Sequence, residues 1–380
     1  MRSQCVNVVR GVVCGLIGGM CAGVSAGPLA PPAGPIGPTY RTLGEVEPRL
    51  PVNAQTAPGT ATAVHRITQS GSYFLTGDVV VPAGKSGIVL GAANITLDMR
   101  GFTIRGEVGS VDGIADEAGS TGAHVFNGNF VNLGSHGLNG NVSTNSRFTE
   151  LSAAGCHALR AMNFPSSSVV ERCTASANVN GGIATGSYVT ISNCVSTQNG
   201  GTGFSIGTGN TVTSCVASQN SGTAGFVIGE ASYVSGCTAR ANTQDGFLLG
   251  ARGEISDSSA YFNSDDGFQL GSPGTDSNSV IRRCTAIQNT NAGIRAASGR
   301  ATIDENVCRI NGTGIVAVVT SSANSSFITR NVCASNSPNY NVGAGNSVGT
   351  VVWAPVVGIA INGNSGGGLG TTDPWANFAQ

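Results

Sequence analysis

The sequence predicts an all-β solenoid, and three observations predict it. A Gly–apolar step recurs about every 22 residues, at Gly87-Ile88, Gly113-Ile114, Gly137-Leu138, Ala158-Leu159, Gly182-Ile183, Gly203-Phe204, Gly225-Phe226, Gly246-Phe247, Gly267-Phe268, Gly293-Ile294 and Gly314-Ile315. An asparagine keeps step with it, at Asn178, Asn199, Asn220, Asn242, Asn263, Asn289, Asn311 and Asn336. Eight residues before each asparagine stands a β-branched residue: Val170, Ile191, Val212, Val234, Ile255, Ile281, Ile303 and Ile328. No 3.6-residue apolar period runs through these units. Each therefore reads as three short strands with tight turns, burying its apolar side against neighbouring units.

The elements follow in chain order. Arg2 and Arg10 flank an uncharged apolar run, Gly11 to Val24, that is followed by Val24-Ser25-Ala26. This is the pattern of an export signal cleaved near Ala26, and the run is too short to span a membrane. Residues 27–63 hold Pro28, Pro31, Pro32, Pro35, Pro38, Pro48, Pro51 and Pro58 and read as an extended linker. From residue 64 the strands begin, with Tyr73-Phe74-Leu75 and Val79-Val80-Val81 covering the open end. Asn94 to Met99 and Phe102-Thr103-Ile104 alternate apolar and polar residues, the period of a half-buried strand. The solenoid is assigned to 64–345 and a C-terminal cap to 346–380. In that cap Val351-Val352-Trp353 and Val356 to Ile361 are candidate closing strands, a Gly-rich stretch follows (Gly366 to Gly370), and Trp375 and Phe378 dock on the last coil.

Composition excludes some functions. Charged residues make up 10% of the chain, the net charge is −1, and Lys85 is the single lysine, so no basic footprint for nucleic acid exists. No stretch after the signal is apolar enough to cross a membrane. The 57 glycines suit a backbone that turns sharply and often.

The repeat apolar-x-x-Asn/Cys-x-small-x-x-Asn-x-x-x-Gly-Ile/Phe resembles that of the right-handed parallel β-helix in the pectate-lyase-like superfold. The segment Gly71-Ser72-Tyr73-Phe74-Leu75 with Ile95 to Ile104 resembles the first coil of secreted bacterial members. The resemblance covers residues 65 to about 345 and implies a single-stranded right-handed parallel β-helix of about 11–12 coils. At roughly 4.8 Å per coil the rod is ~50–55 Å long. Equivalent residues then form ladders. Phe204, Phe226, Phe247 and Phe268 stack inside the core, and the asparagines satisfy turn backbone groups. Cys173, Cys194, Cys215, Cys237 and Cys284 share one slot with Ser258, Asn306 and Asn331. Parallel stacking suits a disulfide poorly, so they read as buried free thiols filling a small space.

Candidate chemistry gathers where acids break the pattern. Asp245 and Asp266 take the same slot in adjacent coils, with Asp265 beside them. Stacked carboxylates can serve as an acid/base pair or hold calcium. The simpler reading of the same residues is as turn residues, because Asp before Gly is a common turn pair. Asn263-Ser264-Asp265-Asp266-Gly267-Phe268 is similar to the Asp-Asp-Gly-Phe segment of β-helical polysaccharide lyases, in which such carboxylates hold calcium. Those lyases use a lysine base, whereas Lys85 lies far away near the N-terminal cap. His136 and His157 fall one coil apart, in the slot before Gly137 and Ala158. Arg282 and Arg283 face the coil bearing Asp304 and Glu305 as a surface ion-pair cluster. The outward residues Ala184, Ser205, Val227, Leu248, Gln269, Arg295 and Val316 form a small, apolar strip, more a binding face than a catalytic groove.

The leading reading is a secreted or cell-envelope β-helix protein that interacts with carbohydrate or is structural, with polysaccharide as partner. One alternative is a polysaccharide lyase or glycoside hydrolase acting on an acidic polysaccharide, with a carboxylate or calcium site at Asp245, Asp265 and Asp266. The other is a self-associating stalk or adhesin. Whether the protein is an enzyme, and its oligomeric state, are left open by the sequence.

Overall fold

The computed structural model describes residues 49–271, 277–317, 325–353 and 373–380. The export signal, most of the proline-rich segment, Val356 to Ile361 and Gly366 to Gly370 lie outside the described residues. Among the described residues there are strands and turns but no helix.

Each coil contributes three short strands, and the coils pair in parallel. Val169–Glu171, Thr174–Ser176 and Gly181–Thr185 form one coil. They pair onto Thr190–Ser192, Val195–Thr197 and Phe204–Ile206 of the next. The third strands make a narrow 13-stranded sheet. The first and second strands join in one 26-stranded sheet, because His124–Val131 and Arg147–Ala154 run unbroken through both. The narrow sheet exceeds the 11–12 coils expected from sequence. Its first and last strands, Ala63–Ile67 and Tyr340–Val342, lack the step that marks the others, which is Gly–apolar in all but Arg160–Phe164.

The turn conformations come from unexpected residues. The corner between the first two strands holds one left-handed residue per coil, and it is seldom glycine. Arg172, Asn193, Ser214, Asp257, Arg283, Glu305 and Arg330 all have φ between 51° and 57°, and Gly236 has φ 64°. The glycine of the repeat step serves close packing instead. A Cβ on Gly246 would lie 2.5 Å from the carbonyl oxygen of Gly267 and 2.8 Å from Asn263 Nδ2.

Two ladders hold the interior. Phe204, Phe226, Phe247 and Phe268 stack with centroids 4.6, 4.7 and 4.9 Å apart and rings within 6° of parallel. The asparagines form a continuous buried chain. Asn178 Nδ2 donates to Asn199 Oδ1 at 2.8 Å, Asn199 to Asn220 at 2.9 Å, and so on to Asn311 and Asn336 at 3.0 Å. Each of these oxygens also accepts the backbone N–H of the asparagine before it.

The eight cysteines from Cys156 onward are all buried and free. Burial pushes the thiol of Cys156 up to about 11 and that of Cys284 up to about 12. Their slot is also an acceptor position. Cys194 Sγ, Ser258 Oγ and Asn306 Oδ1 take the backbone N–H of Cys173, Cys237 and Cys284 in turn. That shared duty explains why cysteine, serine and asparagine alternate there. Cys308 and Cys333 do not belong to this slot; they sit opposite each other on facing strands.

Both ends of the rod differ from expectation. The linker assigned to 27–63 ends earlier, because Leu50–Pro51 pairs with Tyr73-Phe74 and the buried Val52 and Ala57 join the core. Pro51 is tolerated there because a terminal strand has one unpaired edge. At the other end Asn377–Ala379 pairs with Val332-Cys333 and with Val351–Trp353. Ala376, Asn377 and Ala379 make the buried closure. Trp375 rests on the terminal coil only at its surface: it stays half-exposed, against Phe327 and under Arg330.

Candidate functional site

The narrow sheet carries two rows of chemistry-bearing side chains. One is the outward row Asn139, Asn163, Ala184, Ser205, Val227, Leu248, Gln269 and Arg295, set by the strand register. The other is the residue just before each step: Asp112, His136, Arg160, Gly181, Thr202, Ala224, Asp245, Asp266 and Ala292. Hydrogen bonds between the rows bring the two into contact, as follows.

The expected acidic slot forms. Asp245, Asp265 and Asp266 each place a carboxylate oxygen within 4.8 Å of the others. Asp245 opens the strand Asp245–Leu249, and its Oδ1 accepts the Asp266 backbone N–H at 3.0 Å. Asp266 Oδ1 accepts the N–H of Ala292 at 2.8 Å. Arg295, from the outward row, grips Asp266 through Nε to Oδ2 and through Nη2 to Oδ1. Asn291 Nδ2 donates to Asp265 Oδ1 at 3.0 Å. The cluster is therefore more than a pair of Asp–Gly turns, because a guanidinium closes over it.

Charge follows from this geometry. Burial raises Asp245 to about 7, with the nearby Asp266 and Asp265 carboxylates adding to the rise. Burial also raises Asp266, against the opposing hydrogen bonds of Arg295. The Asp266 carboxylate in turn holds the Arg295 guanidinium above its ordinary value. As a calcium site the group is poor. Calcium takes roughly six to eight oxygens, whereas here both oxygens of Asp266 and one each of Asp245 and Asp265 already accept hydrogen bonds.

One pH effect follows. An unfolded Asp ionises near 4, and Asp245 in the fold near 7. The folded state thus holds its proton more tightly, and that contribution to stability is full below pH ~4 and lost as pH rises through 7. Asp245→Asn keeps the Oδ1 acceptor but cannot ionise. Its melting temperature should fall less than that of the wild type between pH 5 and pH 8. Parallel curves for the two proteins would show that Asp245 is not held protonated.

In a second cluster His136 was legible in the sequence but its partner Asp112 was not. His136 Nδ1 meets Asp112 Oδ1 at 2.9 Å, and Asn139 Nδ2 donates to Asp112 Oδ2 at 3.0 Å. Burial raises Asp112, but the hydrogen bonds from His136 and Asn139 outweigh it and hold its carboxyl below the ordinary value. With Asp112 ionised the imidazole proton belongs on Nδ1. His136 and His157 do not stack: His157 is exposed and belongs to a different slot.

The reason is a register error at one coil. Leu138 pairs with Met162, not with Leu159. Leu159 is 77% exposed, whereas Ala161 and Met162 are fully buried. The step expected at Ala158-Leu159 is therefore Ala161-Met162, and the residue in line with His136 is Arg160. The missed residues share one signal, their place directly before the step.

The arginine cluster is also rearranged. Arg282 pairs with Glu254 at 2.5 Å and Arg283 with Asp257 at 2.8 Å, both in the preceding coil. Asp304 and Glu305 are taken instead by Arg330. Asp257, Arg283, Glu305 and Arg330 are the left-handed corner residues of successive coils and so align in one row.

Comparison with known proteins fits this architecture. Residues 86–239 match the family model of the right handed beta helix region. The A-module of the mannuronan C-5 epimerase of Azotobacter vinelandii is similar in structure, at 12% identity and a TM-score of 0.50. The match covers 79% of this chain and 88% of that one. A periplasmic alginate epimerase matches at 12% identity and a TM-score of 0.46, over 78% of this chain and 80% of that one. A pectate lyase matches at 16% identity and a TM-score of 0.37, over 73% and 70%. No curated protein matches the sequence. At 12% identity the likeness to the epimerase module is one of fold.

Proposed function

We propose that this right-handed β-helix chain is an exported protein that holds a polysaccharide along the outer face of its narrow sheet, anchored at Asp245, Asp265, Asp266 and Arg295. The observation that carries the reading is the convergence of three carboxylates and one guanidinium beside the outward side chains Val227, Leu248 and Gln269. Half-buried Asp265 and Arg295, held in place by the buried Asp266, can meet sugar hydroxyls, and a low apolar strip packs against the C–H faces of the rings. The fold shared with the mannuronan C-5 epimerase module supports a scaffold of this shape serving a polysaccharide. The Arg2 to Ala26 pattern supports export.

A glycan-array screen with the mature chain tests this. Binding to at least one polysaccharide is expected, and Asp266→Asn, which strips Arg295 of its counter-charge, should weaken it about tenfold. An array on which the folded protein retains nothing overturns the reading. A catalytic version rests on one further observation, that Asp245 keeps its proton close to neutral pH, the state a general acid requires. Product release that disappears in Asp245→Asn while binding persists would establish it.

A further inference from the structure

The arginines on the narrow sheet do not share one fate. On the strand Ala63–Ile67, Arg66 is paired with Glu117 at 2.6 Å. On Ala292–Ala296, Arg295 is paired with Asp266. On Arg160–Phe164, Arg160 meets no carboxylate among the described residues, and its one side-chain hydrogen bond there is from Nη2 to Ser205 Oγ at 3.2 Å. The acids nearest in the register are committed elsewhere. Asp112 is held by His136 and Asn139, and Asp116 accepts the backbone N–H groups of Asn141, Val142 and Ser143.

This half-buried cation lines a cleft of about 330 Å³, within the roughly 300–1,000 Å³ of small-ligand sites. The other polar walls are donors and acceptors of neutral type: Asn141, Asn163, Ser166, Thr185 and Ser205. Asn163 Nδ2 donates to Asn141 Oδ1, which leaves the Asn141 amide N–H groups without a partner among the described residues. One edge of the cleft is bare backbone for a structural reason. A Cβ on Gly186 would strike Ser166 Oγ at 2.3 Å, and one on Gly207 would strike the Gly186 carbonyl at 2.5 Å. A fixed planar guanidinium flanked by amide and hydroxyl donors, with no carboxylate to neutralise it, is the arrangement that recognises an oxyanion.

We propose that the Arg160 cleft is a subsite for an anionic substituent, a carboxylate or a sulfate ester, on the bound chain. The proposal rests on the polysaccharide reading above but uses a different part of the face. Arg160 lies four coils before Asp245, roughly 19 Å away at ~4.8 Å per coil. A chain spanning both would be read at two separate points.

Two measurements test it. The first is calorimetric titration of the full mature chain with oligogalacturonate, its methyl ester, a sulfated oligosaccharide and a neutral β-glucan oligosaccharide. The wild type should prefer a charged ligand over its uncharged counterpart by about tenfold or more, and the preference should shrink in high salt. Whichever of carboxylate and sulfate shows the preference identifies the substituent. Arg160→Ala should erase the preference while sparing neutral-glycan binding, and Arg160→Lys should restore it only in part. Equal affinity for charged and uncharged ligands, or an unaltered preference in Arg160→Ala, overturns the subsite and leaves the polysaccharide reading intact.

The second is NMR of the Arg160 Nε–Hε signal on titration with acetate and with inorganic sulfate. A saturable shift confined to this signal, which is assigned by its loss in the Arg160→Lys protein, supports the subsite even if no glycan binds. No shift with either anion overturns it.

Discussion

Asn263→Leu should rank among the most destabilising single substitutions of a buried polar residue along the rod. Asn263 is fully buried. Its Oδ1 accepts the Asn242 backbone N–H at 3.1 Å and Asn242 Nδ2 at 3.0 Å. Its Nδ2 donates to Asn289 Oδ1 at 2.9 Å and to the Ala239 carbonyl at 3.3 Å. Leucine fills a similar volume but supplies none of these bonds. Two buried donors and one buried carbonyl are left unmet, at about 1–3 kcal/mol each. The total, roughly 3–9 kcal/mol, is a large share of a typical folding free energy of about 5–15 kcal/mol. Thermal unfolding should shift down by roughly 8 °C or more. A shift within about 2 °C would show that the ladder aligns the coils without stabilising them. Thr211→Ala, on an exposed strand position, is the control and should be nearly silent.

What the sequence made legible follows from how the solenoid is built. Ladders repeat a residue type at a fixed offset, so the phenylalanine stack, the asparagine chain and the cysteine slot were all readable from spacing. The cysteines read as buried thiols because parallel stacking disfavours a disulfide, and the structure adds why serine and asparagine can replace them. Two kinds of information were hidden. The length of each turn between ladders varies, so the coil after Cys156 was aligned three residues too early and Arg160 was lost to view. Side-chain reach was hidden as well. Spacing put Asp245 beside Asp266, but only the fold shows Arg295, one coil on, closing over Asp266. Long arginine side chains choose partners across coils, and nothing in a linear pattern records which way they turn. The glycines were misread in a more instructive way. Their abundance suggested turn conformations, whereas most left-handed corners are filled by Asn, Arg, Gln, Ser or Ala.

That distinction makes Gly246→Val the second large expected effect. Gly246 does not have a positive φ, so valine is conformationally allowed there, and the obstacle is space alone. The first added carbon already lies 2.5 Å from the Gly267 carbonyl oxygen, 2.8 Å from Asn263 Nδ2 and 3.1 Å from Ala260 Cβ. The first two are a backbone atom and a fully hydrogen-bonded ladder amide, neither of which can swing aside cheaply. Overpacking of this kind costs about 1–3 kcal/mol for modest insertions, and valine, with two more carbons, should exceed ~3 kcal/mol. The damage should also reach the candidate site, since Gly246 follows Asp245 and donates its N–H to the Asp266 carbonyl at 2.8 Å. Parting the two coils admits water to Asp245, which should return its carboxyl towards the ordinary value and flatten the loss of stability between pH 5 and pH 8. Gly77→Ala is the matched control: nothing lies within 4 Å of its added carbon and its φ is not positive, so it should be neutral or slightly stabilising. Denaturant titration of both variants at pH 5 and pH 8 separates the outcomes. If Gly246→Val unfolds at the same denaturant concentration as Gly77→Ala, the step glycine is not what lets the coils approach. If it is destabilised but keeps the wild-type pH dependence, the packing role stands and its coupling to Asp245 falls.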